Sequence, residues 1–158
     1  MVHLTRRYRL SAAHRLHNEA LSAEENARLY GKCNNPRGHG HDYAVEVTVA
    51  GEVDPRTGWV IDLGLLDRLV EREVLDRFDY KHLNFDVESF RSRTPTTENL
   101  CIEIYTRLAP NFPVWSTGPG DSPGGPSRED STPGARLERV RVEETRSNFF
   151  EYEGEERN

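Results

Sequence analysis

Two histidines on one face of a predicted strand are the strongest chemical signal in the sequence. His39 and His41 flank Gly40, and side chains two residues apart in an extended segment point the same way. His14 ends an earlier predicted strand, on the side expected to meet the same core, so it is the natural third ligand. Three imidazoles with an open fourth position are typical of catalytic zinc. Isolated surface or core histidines are the plainer alternative.

Two cysteines require separate interpretations. Cys33 lies six residues before His39, so it is either a further zinc ligand or a base or nucleophile whose thiolate a nearby cation favours. Spacing alone does not choose between these roles. Cys101 lies beside Ile102 in an apolar helical pattern, which indicates packing. Two distant cysteines do not make a disulfide framework, so reduced thiols are expected.

One acidic residue shares the parity of a buried row. Glu144 follows Val140 and Val142 at alternate positions, which puts its carboxylate on the core side at the end of a predicted strand. A buried carboxylate needs hydrogen-bond donors or a cation. Glu144 is therefore either a ligand-binding group or a residue just beyond the buried stretch.

The strands that must position these side chains are read from alternation. Apolar residues alternate from Tyr8 toward His14, and the clearest strand runs from Tyr43 to Val49. The turn residues 54–58 precede a short predicted strand over 59–61, which together indicate a hairpin. A last strand pair is predicted over 137–145 and 149–152.

Two helices are predicted between these strands. Asp62 can cap a helix from Leu63 to about Arg77, and Thr96 or Thr97, after Pro95, can cap a second. The order strand, strand, helix, helix, strand, strand predicts an antiparallel α+β domain rather than a doubly wound sheet.

Composition limits the function classes. The 158 residues suit one domain and carry a net charge of −6, without the clustered positive charge that a nucleic acid or an anionic membrane requires. The stretch 116–134 is rich in Gly, Pro and Ser and has no apolar side chain, so it is interpreted as a flexible surface insertion within the single domain 1–158. No apolar run approaches a membrane span, and residues 1–7 lack the apolar core of a secretion signal, so an intracellular, cytoplasmic protein is expected.

Five segments together resemble the 6-pyruvoyl-tetrahydropterin synthase family, which includes the 6-carboxy-tetrahydropterin synthases. They occur in the family's order and cover nearly the whole chain outside 116–134: Ser11–Leu16, Gly31–His41, Asp79–Asn84, Pro95–Asn99 and Val142–Thr145. The spacing from Cys33 to His39 resembles the pyruvoyl branch, because the carboxy branch usually has a shorter gap.

The resemblance implies a role for each matched residue. Zn²⁺ would be bound by His14, His39 and His41, and Cys33 would be the catalytic thiol that moves protons on the substrate. Glu144 would anchor the amino-pyrimidine edge of the pterin, in a pocket whose matching stretch is Thr96, Thr97 and Glu98. The triphosphate calls for cations, and the candidates flanking the metal motif are Arg15, Lys32 and Arg37.

The resemblance also implies an assembly. The family's tunnelling fold has a four-stranded antiparallel sheet with two helices on one face, and three subunits close a barrel of strands. Two trimers stack into a homohexamer, and a neighbouring chain completes each active site. Pairing the two exposed sheet edges between subunits is a physical reason to expect a ring.

One position departs from the family pattern. The family has Asp followed by His as a proton relay with the thiol, whereas this chain has Asp79 followed by Tyr80. A phenol with a pKa near ~10 relays protons less well at neutral pH than an imidazole near ~6.5. Either His82 takes over the relay, or Tyr80 is a weaker donor, or activity is reduced.

The expected activity is that of a carbon-oxygen lyase acting on phosphates. It would convert 7,8-dihydroneopterin triphosphate to 6-pyruvoyl-tetrahydropterin with loss of triphosphate, as in tetrahydrobiopterin biosynthesis. The alternatives are a 6-carboxy-tetrahydropterin synthase of the queuosine (deazapurine) pathway and a catalytically weak, pterin-binding zinc protein.

Overall fold

The computed structural model describes residues 1–112 and 134–155. These residues form an α+β fold with a five-stranded sheet in the order β3-β1-β2-β4-β5. The strands have these bounds: β1 Val2–His14, β2 His39–Gly51, β3 Lys81–His82, β4 Arg136–Thr145 and β5 Asn148–Tyr152. The predicted antiparallel pairing is confirmed for β1 with β2, β2 with β4 and β4 with β5.

The prediction of four strands is wrong, because β3 is a fifth strand and pairs with β1 in parallel. In this pairing, Ala12 lies opposite Lys81 and Ala13 lies opposite His82. A two-residue strand is too short to produce a recognisable alternation, so periodicity could not have predicted it.

The two main helical regions begin where the sequence predicted. Asp62 caps α2 (Leu63–Val70) by accepting from the N–H of Gly64 at 2.7 Å. This helix continues through a wider π-type turn, Glu71–Leu75, into the short α3, Asp76–Phe78.

Thr96, rather than Thr97, caps α5 (Thr97–Leu108) by accepting from the N–H of Asn99. Two further helices were not predicted: α1 (Ala23–Tyr30), which begins at a Ser22–Glu25 capping box, and the one-turn α4 (Leu83–Asp86).

The predicted strand at 59–61 is wrong. The turn does form, since the Gly58 N–H donates to the Asp54 carbonyl at 2.7 Å and the Asp54 N–H donates to the Trp59 carbonyl at 2.9 Å. The chain then enters α2 directly, and Trp59 is exposed. Residues 59–61 have no ladder partner among the described strands, so no strand forms there.

The core lies on one face of the sheet, which confirms the alternation read from β2. Residues 43, 45, 47 and 49 are at most 1% exposed and pack against the inner sides of α2 and α5. The other face carries charged cross-strand contacts, including Arg7 with Glu46 and with Glu143. Side chains that bear chemistry on the helical face are therefore partly shielded from water.

Residues 116–133 of the predicted insertion lie outside the described residues. The single-domain assignment stays a prediction. Within 1–112 and 134–155, no helix has both the length and the apolar character that crossing a membrane requires.

Candidate metal centre

Strand register brings the three histidines together. His14 lies directly opposite His39 in the β1–β2 ladder, and His41 is opposite Ala12, two residues along on the same face. The Nε2 atoms of His14 and His39 are 3.1 Å apart. One ring nitrogen from each histidine lies within 4.8 Å of the others.

The donor set fits a zinc ion. The Pro95 carbonyl accepts a hydrogen bond from Nδ1 of His14 at 2.8 Å; Nδ1 therefore carries the proton, and the lone pair of neutral His14 is on Nε2. In a tetrahedral site, Zn–N bonds of ~2.0–2.1 Å separate two nitrogens by ~3.3 Å. The 3.1 Å between the Nε2 atoms of His14 and His39 is close to that value. Nε2 of His41 is buried without a hydrogen-bond partner among the described residues.

Burial keeps His14 neutral. The side chain is 1% exposed, and this desolvation lowers the pKa of His14 from 6.5 to about 4. Burial also lowers the pKa of His41. Neutral imidazoles present lone pairs, which a metal ion requires.

Glu144 lies beside the histidines, at a point where the β4–β5 register shifts. Its Oε1 is 3.6 Å from Nε2 of His41 and 3.8 Å from Nε2 of His14. An irregular register of this kind can re-aim a side chain. Of the two alternatives left open by parity, the structure favours a carboxylate within the site.

Two neighbours hold the Glu144 carboxylate. Thr97 Oγ1 donates to Oε1 at 2.7 Å, and Asn148 Nδ2 donates to Oε2 at 3.0 Å. Desolvation opposes ionisation, but these hydrogen bonds and the nearby histidines outweigh it, so the pKa of Glu144 is lowered. Glu144 is therefore a fixed, ionised acceptor.

Cys33 lies in the single turn Gly31–Asn34, which is fastened to the chain that follows His14. The Leu16 N–H donates to the Cys33 carbonyl at 2.9 Å, and Asn34 Nδ2 donates to the Leu16 carbonyl at 2.7 Å. Within the described residues, Cys33 does not belong to the group that could hold the metal. The structure thus favours a role other than ligand for this partly exposed thiol.

The relay candidates lie on the other side of β1. Asp79 Oδ1 accepts the Ser11 N–H at 2.8 Å, while Tyr80 is 87% exposed at a backbone φ of 55°. His82 pairs with Ala13, an odd-numbered position facing away from the three histidines, and its ring contacts Phe85 at 4.4 Å between centroids. Tyr80 and His82 are therefore outside the group of described residues that could hold the metal, although both line, with His41, a cavity of about 550 Å³.

The three residues of the predicted pocket stretch differ in position. Thr97 is buried and contacts Glu144, whereas Thr96 is used as a helix cap. Glu98 is exposed in the first turn of α5.

Sequence reasoning missed the asparagines that support the site. Asn34 and Asn148 have the contacts given above, and the side chain of Asn84 exchanges hydrogen bonds with the N–H (2.8 Å) and carbonyl (2.9 Å) of Arg15. Asn34 and Asn84 lie inside segments that carry the family resemblance. That position was the one signal available, because no periodicity marks a side chain that bonds to distant backbone.

Comparison with known proteins agrees with this geometry. A family model described as 6-pyruvoyl tetrahydropterin synthase matches residues 3–155. The chain belongs to this family. Members of the 6-pyruvoyl tetrahydropterin synthase family are enzymes that act on pterins.

Individual relatives of the family are similar over most of the chain. The 6-pyruvoyl tetrahydrobiopterin synthase of Homo sapiens is 40% identical over 152 residues, covering 96% of this chain and 91% of that protein. The solved structure of Caenorhabditis elegans 6-pyruvoyl tetrahydropterin synthase has 38% identity and a TM-score of 0.80, covering 98% and 96% of the two chains. A putative 6-carboxy-5,6,7,8-tetrahydropterin synthase of Archaeoglobus fulgidus is 41% identical over 71 residues, 45% of this chain and 56% of that protein.

Proposed function

We propose that this chain is a zinc-dependent lyase that converts 7,8-dihydroneopterin triphosphate to 6-pyruvoyl-tetrahydropterin and eliminates triphosphate. The observation that carries the proposal is the convergence of three histidine nitrogens beside the ionised Glu144, in a member of this family. The pyruvoyl product is preferred because the Homo sapiens and Caenorhabditis elegans relatives, which are similar over 96% and 98% of the chain, have pyruvoyl names.

The three histidines would hold zinc. Bound there, the ion supplies Lewis-acid polarisation of the oxygens on the substrate side chain. The chain's contribution is to keep His14 and His41 neutral through burial, and to align His14 through its hydrogen bond to the Pro95 carbonyl.

Glu144 would bind the pterin. A carboxylate can accept two parallel N–H donors from an amino-pyrimidine edge. Thr97 and Asn148 use one acceptor site on each oxygen, and each oxygen offers a second. Because both hydrogen bonds fix the carboxylate plane, the orientation of the pterin ring would be fixed as well.

Cys33 would remove a proton from the side-chain carbon of the substrate. In this elimination the electron pair of the broken C–H bond forms a double bond as the C–O bond to triphosphate breaks, and the resulting enol becomes a ketone. The tetrahydro product also requires a proton shift from the other hydroxyl-bearing side-chain carbon to the ring, which turns that hydroxyl into the second ketone and reduces the C=N bond of the ring without an outside reductant. The turn that carries Cys33 is fastened to Leu16, two residues after His14, which supports a position near the metal-bound substrate.

The deciding experiment incubates zinc-loaded protein with 7,8-dihydroneopterin triphosphate and identifies the product by mass spectrometry. Cys33→Ala is expected to lower turnover by ~10²–10⁴-fold, the usual contribution of a general base. Cys101→Ala is the matched control, because Cys101 is buried against the carbonyls of Val140 and Phe150. Equal turnover in Cys33→Ala and wild type would exclude the role of the thiol, and no product from wild type would exclude the lyase.

A second candidate is a catalytically weak zinc protein that binds pterins. Tyr80 favours it, because a largely exposed phenol is a poor proton relay near neutral pH. If the weak relay limits the rate, Tyr80→His is expected to raise kcat by at least ~10-fold. An unchanged or lower kcat would show that the phenol is not the limit.

The carboxy product is the remaining alternative, favoured by the partial similarity to the Archaeoglobus fulgidus protein. The two products differ in mass, so the incubation described above separates them.

A further inference from the structure

A basic cleft lies behind the metal centre, on the Nδ1 side of the His14 ring. Its volume is about 440 Å³, and its wall includes Pro95, whose carbonyl accepts from His14. Three arginines are among the residues that line the cleft, Arg15, Arg91 and Arg93. The carboxylate in the lining is that of Glu19.

The floor of the cleft is held rigidly. Asn84 bonds both backbone groups of Arg15, and Thr94 Oγ1 donates to the His17 carbonyl at 3.2 Å. Arg15 directly follows the metal-centre residue His14. A ligand in the cleft would therefore rest on the same segment that carries the metal centre.

The arginines of the cleft retain unused donors. Within residues 1–112 and 134–155, Arg91 makes no ion pair. The guanidinium of Arg15 makes one hydrogen bond there, from Nε to the Asn34 carbonyl at 3.1 Å. Arg93 pairs with Glu103 at 2.8 Å, and its buried Nε has no acceptor there.

Carboxylates neutralise only part of the positive charge of the arginines in the cleft. Glu19 is 95% exposed and lies 3.6 Å from Nε2 of His17, so its charge is largely screened by water. On the outer sheet face, by contrast, Arg7 already contacts two carboxylates. Among the described residues, Arg15 and Arg91 make no ion pair, so the arginines of the lining outnumber the carboxylates of Glu19 and Glu103 and the cleft keeps an excess of positive charge.

We infer that this cleft binds an oligophosphate chain. Guanidinium groups match phosphate oxygens in a forked geometry, and several together suit a ligand with several negative charges. The volume is in the range of small-molecule sites. The ligand is either the triphosphate of the proposed substrate, which rests on the proposed function, or a separate phosphate compound.

The test titrates inorganic triphosphate into the full chain and measures heat of binding. Arg91→Gln removes one charge without breaking an ion pair between described residues, and it is expected to weaken binding by about tenfold. Arg28→Gln is the matched control, because Arg28 is exposed on α1 and does not line the cleft. Because triphosphate also chelates zinc, the titration is repeated on metal-free protein, where the same affinity is expected.

Turnover measurements distinguish the two sources of phosphate. A higher KM for 7,8-dihydroneopterin triphosphate in Arg91→Gln with unchanged kcat, and competitive inhibition by inorganic triphosphate, would identify the substrate's own chain. An unchanged KM in Arg91→Gln, together with the expected weaker binding of inorganic triphosphate by this variant, would identify a separate phosphate ligand.

Equal affinity for inorganic triphosphate in wild type and Arg91→Gln, or no measurable binding, would overturn the inference. This result is separate from failure of the proposed function, because the titration needs neither zinc nor turnover.

Discussion

Two polar clusters lie on the same face of β1, one near its middle and one at its C-terminal end, and they differ in whether their polar atoms have hydrogen-bond partners. Near the middle, Nε and NH2 of Arg6 donate to the two carboxylate oxygens of Asp67 at 2.9 and 2.7 Å, and the Tyr8 hydroxyl donates to Asp67 at 2.9 Å. This cluster joins β1 to α2, and both oxygens of its carboxylate accept hydrogen bonds.

At the C-terminal end of β1, the histidine cluster has buried ring nitrogens without hydrogen-bond partners among the described residues. Nε2 of His41 and Nδ1 of His39 are buried without partners among the described residues, and Nε2 of His14 faces Nε2 of His39. Unpaired buried nitrogens destabilise a fold unless a ligand completes them. The closed cluster thus contributes stability, whereas the open one indicates a binding site.

The largest expected effect comes from removing one nitrogen of the open cluster. His39→Ala should reduce bound zinc from about one per chain to nearly none, because losing a ligand should exceed the ~10–100-fold effect of losing an outer-shell partner. Metal analysis of protein purified without chelator measures this. Zinc content unchanged from wild type would contradict the assignment of His39.

A smaller effect is expected from pH in the metal-free protein. The pKa of His14 is about 4 in the folded state and ~6.5 in the unfolded chain, so between these values only the unfolded chain binds the proton. Stability should therefore fall as pH drops from ~6.5 to about 4, by roughly 3 kcal/mol.

Urea unfolding at several pH values tests this expectation. His14→Gln is expected to lose that part of the slope, because glutamine does not titrate. The same slope in both proteins would mean that burial of His14 does not cause the pH dependence.

The smallest effect is expected at the closed cluster. Asp67→Asn should lower Tm by no more than about 4 °C, because the ion pair with Arg6 is partly exposed and screened. Zinc content and turnover should not change. Loss of zinc in this variant would show that the Asp67 cluster and the histidine cluster are coupled. The distinction between a stabilising cluster and a binding cluster would then no longer hold.

Much of the candidate site could be predicted because strand geometry is regular. Parity alone put His39 and His41 on one face, and the structure confirms that His14 faces them across the ladder. The caps at Asp62 and Thr96 were also readable, because a polar side chain before an apolar periodic run has a local cause.

Other features have no local cause and could not be predicted. The two-residue β3 exists because Lys81 and His82 meet Ala12 and Ala13, which are far away in the sequence. The short segment at 59–61 shows the opposite failure, since its residues suited a strand but no strand within 1–112 and 134–155 pairs with it.

The sequence by itself determined which residue types are available and which of them share a face, because alternation in a strand is a property of neighbouring residues. Only the tertiary structure decided which faces meet. It placed Glu144 within 3.6 Å of His41, brought Tyr80 and His82 to a cavity beside His41, and put three arginines in the lining of one cleft. These outcomes depend on contacts between residues distant in the chain, which the pattern of neighbours does not encode.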